Sequence, residues 1–240
     1  VIGTVMSAVV VYDHYNEYVA EIEAAGLKTR NLTRLLEEHA RQTLRRVELG
    51  AVRAAAASSA AGGAAAADPD ALRQRLRAFL PPDGLIRLYA VVDRNGVPVL
   101  STQAEDIRGA AVADRDYFVA QRERAGLGLV IGAPVTSRVT GKWTLPVSYR
   151  LDAPDGAFQG VLIAMVDPAY FQAFYDSIDT GASGFVTLFQ RRGGIVARSP
   201  YDERVLRQNW SGSPMFQVHL PASEVKTVRQ EVVADGVERI

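Results

Sequence analysis

The chain of 240 residues contains no cysteine. Disulfides, thiol nucleophiles and cysteine-ligated metals are thereby excluded, while the compartment stays open. Excess charge of either sign is also missing, since 27 Lys and Arg balance 27 Asp and Glu. Without a broad basic face, nucleic acid is not an expected partner. The three histidines, His14, His39 and His219, are far apart and show no metal-ligand spacing. No G-x-S-x-G elbow or phosphate-binding glycine loop occurs. Asp152, Asp155, Asp167 and Asp176 stand at expected turns and helix ends rather than as a carboxylate pair. No catalytic residue, metal or cofactor is therefore expected. What the chain does have is 48% hydrophobic residues, enough for real cores.

Proline is absent from residues 12–61, and one long helix is predicted there. Leu32, Leu35, Leu36, His39, Thr43 and Val47 recur at three- and four-residue steps, with Glu37, Glu38, Arg41, Arg45, Arg46 and Arg53 on the other face. At 1.5 Å per residue this helix is about 75 Å long, more than one small domain can bury. It is expected to run along two modules or to pair with a second copy. The apolar segment 1–11 precedes it, followed by the Tyr-rich stretch Asp13–Tyr18. Two readings stand: a buried helix start, or the outer end of a transmembrane helix with an interfacial belt. An alanine-rich tract (54–67) then weakens the helix, and Asp68-Pro69 should cap a short one over 71–80.

From residue 85 the periodicity changes to that of strands, and a phrase occurs twice. Leu88–Ser101 is echoed by Val186–Ser199, with the turn glycines Gly96 and Gly193 97 residues apart. That length suits a domain rather than a solenoid repeat. Asn95-Gly96 is a hairpin signal. The first copy leads into a short helix (114–124), then strands at 129–137, 142–151 and 160–166 and a helix opened by Asp167-Pro168. The second copy is followed by irregular segments, a strand near 226–233, a turn at 234–236 and a further strand. The expected class is α+β. It comprises a long N-terminal helix with a short one (1–84), then two β-rich modules with antiparallel sheets at 85–178 and 179–240, the second incomplete.

Only the first copy leads into residues equipped to bind something. Arg115 near a helix start suits a carboxylate, with Tyr117 adding a hydroxyl, Phe118 an apolar wall and Asp116 a partner for an ammonium group. The alternative reading is local: Asp114 and Asp116 cap the helix, Arg115 pairs with one of them and Phe118 fills the core. A second element, Thr136–Trp143, offers Arg138, Lys142 and Trp143. In a regular strand Ser148 lies on the face opposite Trp143. Pro146 points to an edge or a bulge.

The order of these elements is informative: long helix, hairpin, D-R-D-Y-F, R-V-T-G-K-W, G-V-L-I-A-M-V-D-P, second hairpin. It resembles the double Cache (tandem PAS-like) extracytoplasmic sensor domain of bacterial sensor histidine kinases and diguanylate cyclases. The resemblance implies a membrane-tethered, periplasmic domain whose membrane-distal module binds a small molecule, a carboxylate or an amino acid. It maps ligand contacts onto Arg115, Tyr117 and Phe118, and onto Arg138, Trp143 and Ser148. Members recognising amino acids typically carry R-x-W-Y; Tyr117-Phe118 in place of Trp-Tyr favours a carboxylate. A homodimer through the N-terminal helix is a further expectation.

Overall fold

In the computed structural model the described residues are 2–103, 110–138, 140–181, 184–222, 230–232 and 237–239. Side chains are described from residue 17 to 221 within those spans, apart from that of residue 18. The side chains of 1–11, read above as a membrane or core segment, and the turn at 234–236 lie outside this set. Among the described residues no helix is long and apolar enough to cross a membrane.

Helix α1 runs from Ile2 to Ala60, and the chain divides into two compact units, 1–41 with 213–240 and 42–212. The expected module boundaries after 84 and 178 both fall inside the second unit. In the first unit the chain from Met215 to His219 winds as a π-helical turn. There β9 (Gln230–Val232) pairs antiparallel with β10 (Val237–Arg239).

In the second unit α1 buries Thr43, Val47, Ala51, Ala54, Ala55 and Ser58, a stripe at three- and four-residue steps. Small residues dominate it, which lets the helix approach its neighbours closely. Leu35, counted above with the apolar face, is 56% exposed. Asp68 caps α2 (Pro69–Arg77) as expected, its carboxylate accepting from Ala71 N at 2.9 Å.

The main sheet is antiparallel, in the order β2-β1-β6-β5-β3 with β4 also on β5. Its strands are β1 (Ile86–Asp93), β2 (Pro98–Ser101), β3 (Leu129–Ile131), β4 (Val135–Thr136), β5 (Trp143–Asp152) and β6 (Phe158–Val166). Helix α3 (Asp116–Glu123) is inserted after β2. The single strand expected over 129–137 is two. Ile131 pairs with Val147 and Val135 with Thr144, so one extra residue bulges out at Gly132-Ala133-Pro134. Pro146 therefore sits inside the sheet, not at an edge. Gly132 N donates to Pro146 O (2.9 Å), and the donor Pro146 lacks would face the bulge.

The two turns of the repeated phrase match in three dimensions. Asp93 N bonds Val97 O (2.9 Å) and Gln190 N bonds Gly194 O (2.8 Å); Gly96 and Gly193 share φ 83°. In each copy the chain then folds back on the turn: Val112 N donates to Gly96 O (2.8 Å), Trp210 N to Gly193 O (2.9 Å). A Cβ on Gly96 would lie 2.6 Å from Ala113 N, and one on Gly193 2.2 Å from Ser211 N. Left-handed backbone and lack of space both demand glycine there.

The second hairpin, β7 (Val186–Phe189) and β8 (Ile195–Ser199), packs Ile195 with Val205, Leu206 and Trp210, while α4 (Pro168–Asp176) lies against β8. Helix α5 is Glu203–Leu206.

Candidate functional site

A small cavity of about 50 Å³ lies between the sheet, the N-terminal end of α3 and the segment 135–138. One water needs about 10–15 Å³ by this measure, so the space takes roughly three to five water-sized groups. Its floor is built by period-two alternation: Leu88, Ala90 and Val92 from β1, Ile163 and Met165 from β6. Sequence reasoning missed this floor. Because β1 is buried on both faces, nothing in its pattern marks which side a cavity occupies.

Arg115, Tyr117, Arg138 and Ser137 supply the polar groups. Arg115 occupies the position before the first turn of α3, where Asp114 was expected to cap; its φ and ψ are −78° and 139°. Its carbonyl accepts from Phe118 N (3.0 Å) and Val119 N (2.9 Å). Its guanidinium makes no hydrogen bond or ion pair among the described residues. Tyr117 is 1% exposed, and burial pushes its hydroxyl up to about 12, against the smaller opposing influence of Arg115. The hydroxyl is a neutral donor at physiological pH.

Asp114 faces away from the helix and grips Arg138 with both oxygens, at 2.9 and 2.7 Å; Arg138 also donates to Ala111 O. The Arg138 guanidinium holds the Asp114 carboxyl down at about 2. The clamp is thus complete above the ordinary 3.8 and is lost as pH falls through about 2. Carboxyl carbon shifts of Asp114, followed by NMR from pH 5 to 1.5, should show that low midpoint. The Arg138→Gln variant should bring it back toward the ordinary value; an unchanged midpoint would contradict the clamp.

Asp116 is occupied by backbone. Its carboxylate accepts from Tyr117 N (2.8 Å) and from Ala133 N (2.9 Å), pinning the bulge to α3. Gly132 lies so close to Tyr117 that a Cβ would come within 2.6 Å of the ring. Phe118 is fully buried with Val92, Val161 and Ile163, edge-on to Phe158 at 5.9 Å, beneath the helix rather than in the cavity wall. Ser148 is buried too, and its hydroxyl donates to Tyr117 O (2.9 Å), tying β5 to the helix. Trp143, on the opposite face as the alternation predicts, lines a different and larger cleft together with Lys142. The seven candidates therefore separate. Arg115, Tyr117 and Arg138 meet at one cavity. Asp116, Phe118 and Ser148 position the helix that carries it, and Trp143 lies elsewhere.

No group of three or more His, Asp or Glu among the described residues could hold a metal ion.

Residues 168–240 match the dCache_1-like family model, a histidine kinase sensor domain. Among solved structures, the extracellular domain of rpHK1S-Z16, a protein assigned by inference as a histidine kinase, is similar at 27% identity and TM-score 0.75. That match covers 87% of this chain and 84% of the other. The ligand-binding domain of the Pseudomonas fluorescens chemoreceptor CtaA, in complex with L-isoleucine, is similar at 15% identity and TM-score 0.60, covering 90% and 83%. That of the Campylobacter jejuni chemoreceptor Tlp3, in complex with 4-methylisoleucine, has 11% identity, TM-score 0.59 and coverage of 80% and 76%. The last two likenesses concern the fold alone. No curated protein sequence gives a significant match.

Proposed function

We propose that this chain, a Cache-type sensor domain of the histidine kinase sensor class, binds a short aliphatic carboxylate in the cavity at the start of α3. One observation carries the reading: Arg115 brings a guanidinium with no partner among the described residues to a small apolar cavity, beside the neutral hydroxyl of Tyr117. A bidentate guanidinium–carboxylate pair with a phenol donor on one oxygen is the complement of R–COO⁻. The apolar floor suits a short alkyl tail. An ammonium group finds no spare carboxylate among the described residues, because Asp114 holds Arg138 and Asp116 holds Ala133.

The second reading is an amino acid, favoured by the ligands named for the solved chemoreceptor domains. The two are separated by a titration series of acetate, propionate and butyrate against L-alanine, L-valine and L-isoleucine. A true ligand at a hundredfold its Kd stabilises by about 2.7 kcal/mol, a Tm rise of roughly 5–10 °C for a chain of this size. Binding of the amino acids and not the simple acids would select the second reading. No response to either series would remove both.

The surrounding receptor belongs to the same proposal. The domain stands in the periplasm, tethered to the inner membrane, with residues 85–178 as distal sensing module and 179–240 as proximal module. A histidine kinase output and a homodimer through α1 complete the picture. Its ligand signal would travel through the bulge. Asp116 and Tyr117 hold Gly132 and Ala133 from the cavity side, while Gln190 Nε2 donates to Gly132 O (2.8 Å) from the second hairpin. Ligand binding that shifts α3 must therefore be felt at the turn 190–194. Hydrogen exchange there should slow when ligand is added, and Gln190→Ala should weaken that response while changing affinity less than about threefold. An undiminished response in the variant would dismiss the bulge as the route.

A further inference from the structure

The free space at the start of α3 is shorter than the floor beneath it. From Val92 to Leu88 the floor follows β1 for four residues, about 13 Å at 3.3 Å per residue, room for a carboxylate on a chain of about five carbons. The cavity itself, about 50 Å³, holds only three to five water-sized groups. A side chain must therefore occupy the remainder.

The two ends of the floor are built differently. At the Val92 end Tyr117 packs with Val112, Val161 and Ile163. At the other end Leu88 and Ala90 form a separate apolar cluster, and Met165 packs against both clusters. Met165 stands opposite Leu88 in the β1–β6 ladder and opposite Pro146 in the β5–β6 ladder. Strand β6 has a neighbour on each edge, and from Gly160 to Val166 every residue is buried except Met165. Its uncovered surface therefore lies on a face of the sheet, the face that carries the cavity. The sulfur is 3.8 Å from Thr144 Oγ1, whose hydroxyl also donates to Val166 O at 3.1 Å. A thioether is a weak acceptor on a flexible chain, so this contact steers the side chain without locking it.

We propose that Met165 is the specificity-determining residue of this cavity, an inference that rests on the carboxylate reading above. Its thioether chain closes the Leu88 end and limits the ligand to about two carbons beyond the carboxylate. A longer tail has to turn Met165 out of its packing against Leu88 and Ala90, and affinity falls. Met165→Ala removes Cγ, Sδ and Cε, which opens space for about three more carbons, each worth about fourfold in affinity when buried.

The straight-chain acids from acetate to hexanoate are the probes, titrated calorimetrically into the whole 240-residue chain. Wild type should bind propionate best and hexanoate at least about tenfold more weakly. Met165→Ala should reverse that order, with hexanoate about tenfold or more tighter than propionate. Met165→Leu nearly conserves volume, so it folds even where the alanine variant does not. Its reach is one atom shorter, and it should move the optimum to butyrate. An unchanged order in both variants, with the acids still bound through Arg115, overturns the proposal and leaves the carboxylate reading standing. If no acid binds wild type or variant, that reading falls, and xenon, which carries no charge, decides the role of Met165. Larger xenon shifts at the Leu88 and Ala90 methyls in Met165→Ala than in wild type would support Met165 as the plug of an apolar subsite. Equal shifts would overturn it.

Discussion

Arg115→Ala should raise the Kd for the short carboxylate ligand by about 30-fold or more while leaving the melting temperature of the unliganded domain within about 2 °C. The size follows from removing one partner of a largely desolvated charge pair, a loss of about 2–5 kcal/mol. The specificity follows from the local structure. The Arg115 side chain makes no hydrogen bond or ion pair among the described residues, and its backbone role before α3 is open to alanine, because φ −78° is ordinary backbone. Arg115→Lys keeps the charge but loses the fork, so an intermediate loss is expected. Tyr117→Phe deletes one donor and should cost only about 0.5–1.5 kcal/mol of binding, roughly three- to tenfold. Calorimetry with propionate checks all three. Wild-type affinity in Arg115→Ala would move the ligand away from this cavity, and a collapsed melting temperature would make Arg115 a structural residue.

Gly160→Ala should be among the most damaging single-methyl changes in the chain. Gly160 lies in β6 with φ +147°, paired with Asp93 on one side and Leu151 on the other. A Cβ there would stand 2.0 Å from Val92 O. The contact is with backbone of the neighbouring strand, which cannot step aside without breaking the ladder that carries the cavity floor. Strain and lost pairing together should cost about 4 kcal/mol or more, a large share of the 5–15 kcal/mol typical of a whole domain. In a thermal melt that corresponds to a fall of roughly 8–16 °C. Urea unfolding of the variant tests it, and a loss below about 1 kcal/mol would show that the two strands yield.

How much of this was legible beforehand differs from element to element. The hairpins, the Asp68 and Asp167 caps and the α3 insertion follow from local chemistry: an Asn-Gly and a Gly-Gly turn, Asp-Pro helix starts, a change of period at residue 85. The opposed faces of Trp143 and Ser148 follow from alternation alone. The bulge at 132–134 was hidden, because proline says that a ladder bond is missing but not which strand absorbs the irregularity. Asp114 and Asp116 were interchangeable in sequence. Arg138, 24 residues further on, takes Asp114, and the bulge takes Asp116.

By itself, then, the sequence determined the order of elements, the matching hairpin turns at Gly96 and Gly193, and the presence of Arg115 and Tyr117 at a helix start. These depend on contacts within a few residues or on periodicity, and both can be read along one strand of text. The tertiary structure alone decided the division of labour among the charged and aromatic residues: which arginine is clamped, which has no hydrogen-bond or ion-pair partner among the described residues, and which cavity each side chain lines. Such choices depend on groups far apart in the chain competing for the same partner, and only the folded arrangement says which of them arrives.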